Sequence, residues 1–232
     1  VLDQLLFDTI RCNQMTSKTV HVLPLVCDSV RTLDSSDSIT PTRNRVRFVI
    51  TGLVEKERKD YEFVVSSLSQ ASDILPSIEL VLLGSASGGY GRHILELVEP
   101  LKQQGLSVIS FDRFVEDEEF ESIMREASCI IGPVRSHTKT QMFDEVYGQT
   151  KLSGTVCDMV QYMLPAIVPR DLDMPSDLKG SYLKYANDQE FIKAIRLILD
   201  PEKCDELRQA AICNSGKYTL EKVCEAFDLP NL

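Results

Sequence analysis

Residues 145–168 read Glu145-Val-Tyr-Gly-Gln-Thr-Lys-Leu-Ser-Gly-Thr-Val-Cys-Asp-Met-Val-Gln-Tyr-Met-Leu-Pro-Ala-Ile-Val168. The stretch divides into a polar, Gly-containing loop, a helix and a short buried strand. Val156, Met159, Val160 and Met163 recur at helical spacing and define an apolar stripe facing a core. The helix start is rich in small and hydrogen-bonding groups: Gly148, Thr150, Lys151, Ser153, Gly154 and Thr155. The first N–H groups of a helix lack partners and carry the positive end of its dipole, so such a start suits an anion. Asp158 lies one turn beyond Gly154, away from the stripe. Its carboxylate would repel a phosphate but can accept hydrogen bonds from the hydroxyls of a ribose or a sugar. A plainer reading makes Ser153 or Thr150 an N-cap, Lys151 a solvated charge and Asp158 an exposed helix residue.

The same strand–loop–helix grammar extends in both directions. Upstream, Val46–Gly52 reads as a strand ending in Gly, followed by the charged turn Glu55–Asp60 and a helix carrying Tyr61, Val64, Val65, Leu68, Ala71 and Leu75. Glu79–Gly84 is a second strand, followed by the Gly-rich loop 85–91 and a helix with Ile94, Leu97, Val98 and Leu101 that Gly105 caps. Ser107–Phe111 is a third strand. A helix over Glu116–Ala127 buries Phe120, Ile123 and Met124, and Ser128–Pro133 is a fourth strand. A polar loop is expected over Val134–Asp144. Downstream, Pro165–Val168 is a fifth strand, Tyr182–Ala186 a short further one, and two or three helices close the chain. Before Val46, residues 1–19 read as helical, Val20–Val26 as a strand and 28–45 as a Ser/Asp/Thr/Arg-rich linker. Apolar strands alternating with helices predict an α/β fold, a doubly wound parallel sheet of Rossmann-like type. Ligands of such sheets bind beyond the carboxyl ends of the strands.

Composition narrows the function classes. The 232 residues are 43% hydrophobic and 26% charged, ordinary for a globular chain, with a net charge of −10. That charge argues against a general nucleic-acid binder, which needs a basic surface, but leaves room for a local phosphate pocket. No apolar run approaches the roughly 20 residues of a membrane helix, and no signal peptide is read. The seven cysteines are irregularly spaced without a CxxC and read as reduced core residues of a cytoplasmic protein. The scattered histidines His21, His93 and His137 argue against a metal cluster. The first residue is Val, which reads as a fragment or a trimmed product.

The loops supply candidate ligand groups. Gly84-Ser-Ala-Ser-Gly-Gly-Tyr-Gly91 does not fit the dinucleotide spacing and reads as a strand-to-helix turn. Arg58 and Lys59 stand near a strand end; Arg58 is expected to join Lys151 as the two cations of a diphosphate clamp. Glu145 and Asp158 are expected to hold hydroxyls, and the backbone of Arg113-Phe114-Val115 to read a base edge. The acidic residues Asp112, Asp117, Glu118 and Glu119 read as helix-start charges, so no metal is expected.

The order of these pieces resembles the C-terminal domain of GT-B fold glycosyltransferases, most closely the retaining group 1 or family 4 type. The similarity runs over roughly residues 20–215 by order of elements. It is carried by the strand to Gly52 with its basic helix start, the strand to Gly84, the Phe111-Asp-Arg-Phe-Val-Glu116 turn, Ala127–Pro133, and the Gly loop, helix and Pro165–Val168 strand. In that family a basic residue after the first strand binds the diphosphate, which the resemblance places at Arg58; the Arg common directly after the Gly is Leu53 here. Counting back from Pro165, the family's two Glu around the loop fall on Thr150 and Asp158, with Glu145 near the first but out of register.

The resemblance implies a glycosyltransferase of hexosyl-transferring type that uses a nucleotide diphosphate-sugar as substrate and needs no cofactor. Gly52, Arg58, Lys151, Ser153 and Gly154 would bind the donor diphosphate; Arg113, Phe114, Glu145, Tyr147 and Asp158 would serve base, ribose and sugar. Glu145 and Asp158 are the candidates for catalysis. The acceptor would be a glycan or a lipid-linked sugar in polysaccharide biosynthesis, reached through an N-terminal half, with no nucleic acid involved. The full enzyme would be cytoplasmic, associating peripherally with the inner face of the membrane. Residues 1–45 would be the crossover from the N-terminal domain, 46–215 the donor-binding domain and 216–232 a returning helix; the piece alone would be inactive in transfer. The alternatives are an epimerase of GT-B shape acting on the same donors, and a non-catalytic nucleotide-binding α/β domain.

Overall fold

The structure, a computed structural model, describes residues 4–14, 16–20, 25–26, 45–139 and 144–227. Helix α1 spans Gln4–Cys12. Of the expected strand over Val20–Val26 only Val20, Leu25 and Val26 are among the described residues, none of them in a strand, and the expected linker over 28–45 lies outside them except for Arg45.

Six strands form one parallel sheet: β1 (Val46–Thr51), β2 (Ile78–Ser85), β3 (Ser107–Phe111), β4 (Cys129–Ile131), β7 (Ala166–Pro169) and β8 (Tyr182–Tyr185). Their order is β3-β2-β1-β4-β7-β8. The chain winds outward from β1 to one edge, returns to β4 and winds to the other, so the order reverses between β1 and β4. Loops leaving those two strands diverge there and leave a crevice. The doubly wound parallel sheet expected from the sequence is thus the observed fold.

The strands are apolar on both faces because both are covered. Phe48, Ile50, Leu80 and Leu82 point into one core, under α2 (Tyr61–Ser69), α3 (Gly89–Gln103) and α6 (Asp188–Leu199). Val49, Val81 and Leu83 point into the other, under α4 (Asp117–Arg125) and α5 (Gly154–Tyr162). Helices α7 (Pro201–Ser215) and α8 (Leu220–Phe227) complete the chain.

Several expectations need correction. The first crossover helix stops at Ser69; Leu75 lies in a separate 3-10 turn with Pro76, because a run of serines (Ser69 Oγ donates to Ser66 O at 2.6 Å) favours local side-chain bonds over helix. Leu97 is exposed, and Phe120 and Ile123 are only partly buried. The polar loop expected over 134–144 contains a hairpin instead: β5 (His137–Lys139) pairs antiparallel with β6 (Asp144–Val146). Glu145 therefore sits in a strand. Short polar strands of this kind have no hydrophobic alternation to betray them. Met163 lies past α5 at its left-handed C-cap, φ 51°, yet remains buried with the stripe.

Candidate functional site

The crevice is built by two loops that strap over the reversal point. After β1, Gly52 takes φ +84°, a conformation that favours glycine, and its N–H donates to Leu83 O at 2.8 Å. Val54 N–H donates to Ser85 O at 3.1 Å. The chain then returns across the loop after β4. Arg135 N–H donates to Arg58 O at 2.8 Å, Lys59 bridges to Val134, and Asp60 N–H donates to Pro133 O at 2.7 Å. Asp60 also caps α2, accepting from Phe63 N–H. This pairing turns Lys59 inward and Arg58 outward.

Lys59 and Asp158 form the charged floor. The Lys59 ammonium donates to the carbonyl of Thr51 at the end of β1. A side chain at position 52 would place a Cβ only 3.1 Å from that nitrogen, so the glycine also makes room for the ammonium. The Thr51 hydroxyl donates to Asp158 Oδ2 at 2.6 Å and ties β1 to α5. Burial pulls the Lys59 pKa down to about 8, against the pull of Asp158 and Glu55, which favour the charged form. Burial likewise raises the Asp158 carboxyl, opposed by the Thr51 hydrogen bond and Lys59.

The third wall is the start of α5. Ser153 is the N-cap and accepts from Thr155 N–H at 3.3 Å. Gly132, at the end of β4, lets this end settle onto the sheet: a Cβ there would come within 2.6 Å of the Thr155 side chain. A Cβ on Gly154 would meet nothing within 4 Å, so the first turn is open. Thr51, Gly52, Lys59, Tyr147, Ser153, Gly154, Thr155 and Asp158 line a crevice of about 340 Å³, with Arg58 and Glu55 also on its wall. Gly52, Leu53 and Phe120 are shared with a larger cavity of about 610 Å³, walled by Phe114, Val115, Asp117, Glu121, Gln161 and Tyr162.

The structure thus brings together Gly52, Arg58, Tyr147, Ser153, Gly154 and Asp158, with Phe114 in the adjoining cavity. Arg58 is exposed and paired with Glu55 at 3.0 Å. The other residues stand apart. Lys151 does not line the crevice; its ammonium pairs with Glu145 at 3.0 Å and lies 5.7 Å from the Tyr147 ring centroid. The expected clamp of Arg58 with Lys151 is therefore not what the geometry presents, because Glu145 in β6 holds that lysine. Arg113 pairs with Glu119 at 2.8 Å and donates to Phe114 O, outside the cavity wall. Thr150 closes the turn before α5, its hydroxyl accepting from Val146 N–H at 2.9 Å. Lys59, Thr51 and Gly132 take positions that the sequence reading did not assign them. The signal available for Lys59 was its place directly before the α2 cap, where strand-like alternation sends Arg58 and Lys59 to opposite sides.

Among the described residues no group of three His, Cys, Asp or Glu side chains is placed to hold a metal ion, and no helix is long and apolar enough to cross a membrane. The six described cysteines are free.

No model of a known protein family matches this sequence, and no curated protein does. Solved structures do match its fold. A glycosyltransferase from Rickettsia africae is 11% identical with a TM-score of 0.61, over 95% of this chain and 59% of that one. Sucrose-phosphate synthase from Thermosynechococcus elongatus is 13% identical with a TM-score of 0.66, over 98% and 56%. The C-terminal domain of a glycosyl transferase group 1 family protein from Francisella tularensis is 16% identical with a TM-score of 0.55, over 75% and 87%. The chain spans little more than half the length of the first two and most of the third. Its fold is that of the C-terminal domain of GT-B glycosyltransferases, as the sequence resemblance implied.

Proposed function

We propose that this chain is the donor-binding part of a glycosyltransferase that moves a hexose from a nucleotide diphosphate-sugar to a glycan or lipid-linked acceptor. The observation that carries the reading is the shared crevice of the Lys59 ammonium and the open start of α5, at the reversal point of the sheet. A cation and a helix N-terminus on one small cavity suit a diphosphate. Arg58 at the rim adds a second cation once it leaves Glu55.

Transfer breaks the bond between the anomeric carbon and the diphosphate oxygen, and the bonding pair leaves with the diphosphate. Lys59 and the α5 dipole are aimed at that growing charge, held in place before the reaction begins. The bond that forms joins the anomeric carbon to an acceptor hydroxyl, whose proton passes to the departing diphosphate oxygen. Asp158, on the same crevice, keeps Lys59 charged and offers its carboxylate to ribose or sugar hydroxyls. Phe114 and Val115 wall the space for the base.

The test is melting temperature against added ligand. A ligand that binds only the folded state stabilises it, by about 2.7 kcal/mol at a hundredfold excess over Kd. Nucleotide-sugars and nucleoside diphosphates should raise the melting temperature, and free nucleosides and free sugars should not. No shift with any diphosphate would sink the proposal.

A further inference from the structure

The two cavities meet at the Gly52–Leu53 turn. On the donor reading above, a diphosphate beside Lys59 directs its base into the larger one. We infer that this larger cavity selects guanine, with Asp117 as the residue that reads it; the inference rests on that donor reading.

The cavity carries two features that no intramolecular contact uses. The first is apolar. Among the described residues the exposed large hydrophobic side chains are Leu53, Leu97, Phe114 and Leu220. Two of these four, Leu53 and Phe114, line this one cavity, and Phe114 is 73% exposed. An aromatic ring left in water at the mouth of a concave site suits a flat, stacking ligand. At about 610 Å³ the space is large enough for a purine nucleoside.

The second feature is polar and selects among bases. Glu121 is engaged by Arg125 at 2.8 Å, whereas Asp117 has no hydrogen-bond or ion-pair partner among the described residues. A carboxylate only accepts. Guanine presents two adjacent donors, N1–H and the N2 amino group, which one carboxylate takes together. Uracil presents a single N–H between two carbonyls, and a carboxylate meeting it faces repulsion from both. Adenine and cytosine set their amino donor beside an acceptor nitrogen, which a carboxylate also repels. Gln161, which also lines the cavity, has an amide N–H₂ that can donate to guanine O6. The acidic wall also orients the ligand: it disfavours the diphosphate and favours the donor-rich base edge, leaving the anion for Lys59.

The experiment is calorimetric titration of this chain with GDP, IDP, UDP, ADP and CDP, for the wild type and for Asp117→Asn. Asp117 is exposed, and melting curves verify that the variant is folded. GDP should bind at least about tenfold more tightly than UDP, and IDP, which lacks the N2 amino group, about tenfold more weakly than GDP. Asp117→Asn should lose the preference for GDP and gain affinity for UDP, because an amide accepts from N3–H and donates to O4 at once. Equal or tighter binding of UDP or ADP to the wild type, or an unchanged preference in the variant, overturns the guanine assignment and leaves the donor reading standing. If none of the five binds, the donor reading falls and the base assignment falls with it.

Discussion

Lys59 is the residue on which the site turns, and its burial makes its charge conditional. Its pKa is about 8, against an ordinary value of 10.5. Between those values the unfolded chain holds a proton that the folded chain has lost, so this group's contribution to stability rises with pH across the window. Ligand binding runs the opposite way. A nucleotide-sugar keeps its diphosphate charges throughout, and binding favours the protonated lysine. Its affinity should be level below about pH 8 and fall as pH rises through it. Lys59→Ala should weaken binding about tenfold to a hundredfold, the worth of a charge-assisted hydrogen bond, and flatten that profile. Asp158→Asn removes a charge that holds the lysine protonated, so the fall in affinity should move to lower pH. Direct titration of donor affinity from about pH 6 to about 10, on both sides of the Lys59 pKa, checks all three.

At the scale of elements, the site depends on how closely α5 approaches the end of β4. Gly132 permits that approach, since any Cβ would press on Thr155. Gly132→Ala should cost about 1–3 kcal/mol of stability, as overpacking does, and should weaken donor binding by lifting the α5 start from the crevice. Denaturant melts paired with binding isotherms separate the two effects. The helix itself was legible in the sequence: its apolar stripe and its Ser-Gly start announced it. The strap from Glu55 to Asp60 was not, because its position comes from hydrogen bonds to residues 133–135, distant in sequence. That pairing sends Lys59 inward where local reasoning chose Arg58. Lys151 misled because its partner Glu145, six residues earlier, lies in a short polar strand that carries no periodic signal.

Over the whole molecule, the doubly wound parallel sheet and its two cores follow from short apolar runs separated by helical stripes, and these were readable. Less readable was Arg47, at the opposite end of β1. It is 6% exposed, with its guanidinium 2.5 Å from Glu79 and 2.9 Å from Glu126. A charge near the start of an apolar strand signals a partner but does not name it. Arg47→Met should destabilise the fold by about 3 kcal/mol or more, by leaving Glu79 without its guanidinium. In a domain of this size that corresponds to a fall in melting temperature of roughly 10 °C. The crevice lies at the other end of the sheet, so donor affinity of the folded variant should be unchanged. The central claim concerns that crevice: a diphosphate binds there through the Lys59 ammonium and the start of α5. The measurement that tests it most directly is the affinity of a nucleotide-sugar for the wild type and Lys59→Ala, each on both sides of pH 8. The account predicts binding that weakens with pH in the wild type, and weaker, pH-independent binding in the variant. Binding of equal strength in the two proteins, or none to the wild type, would contradict it.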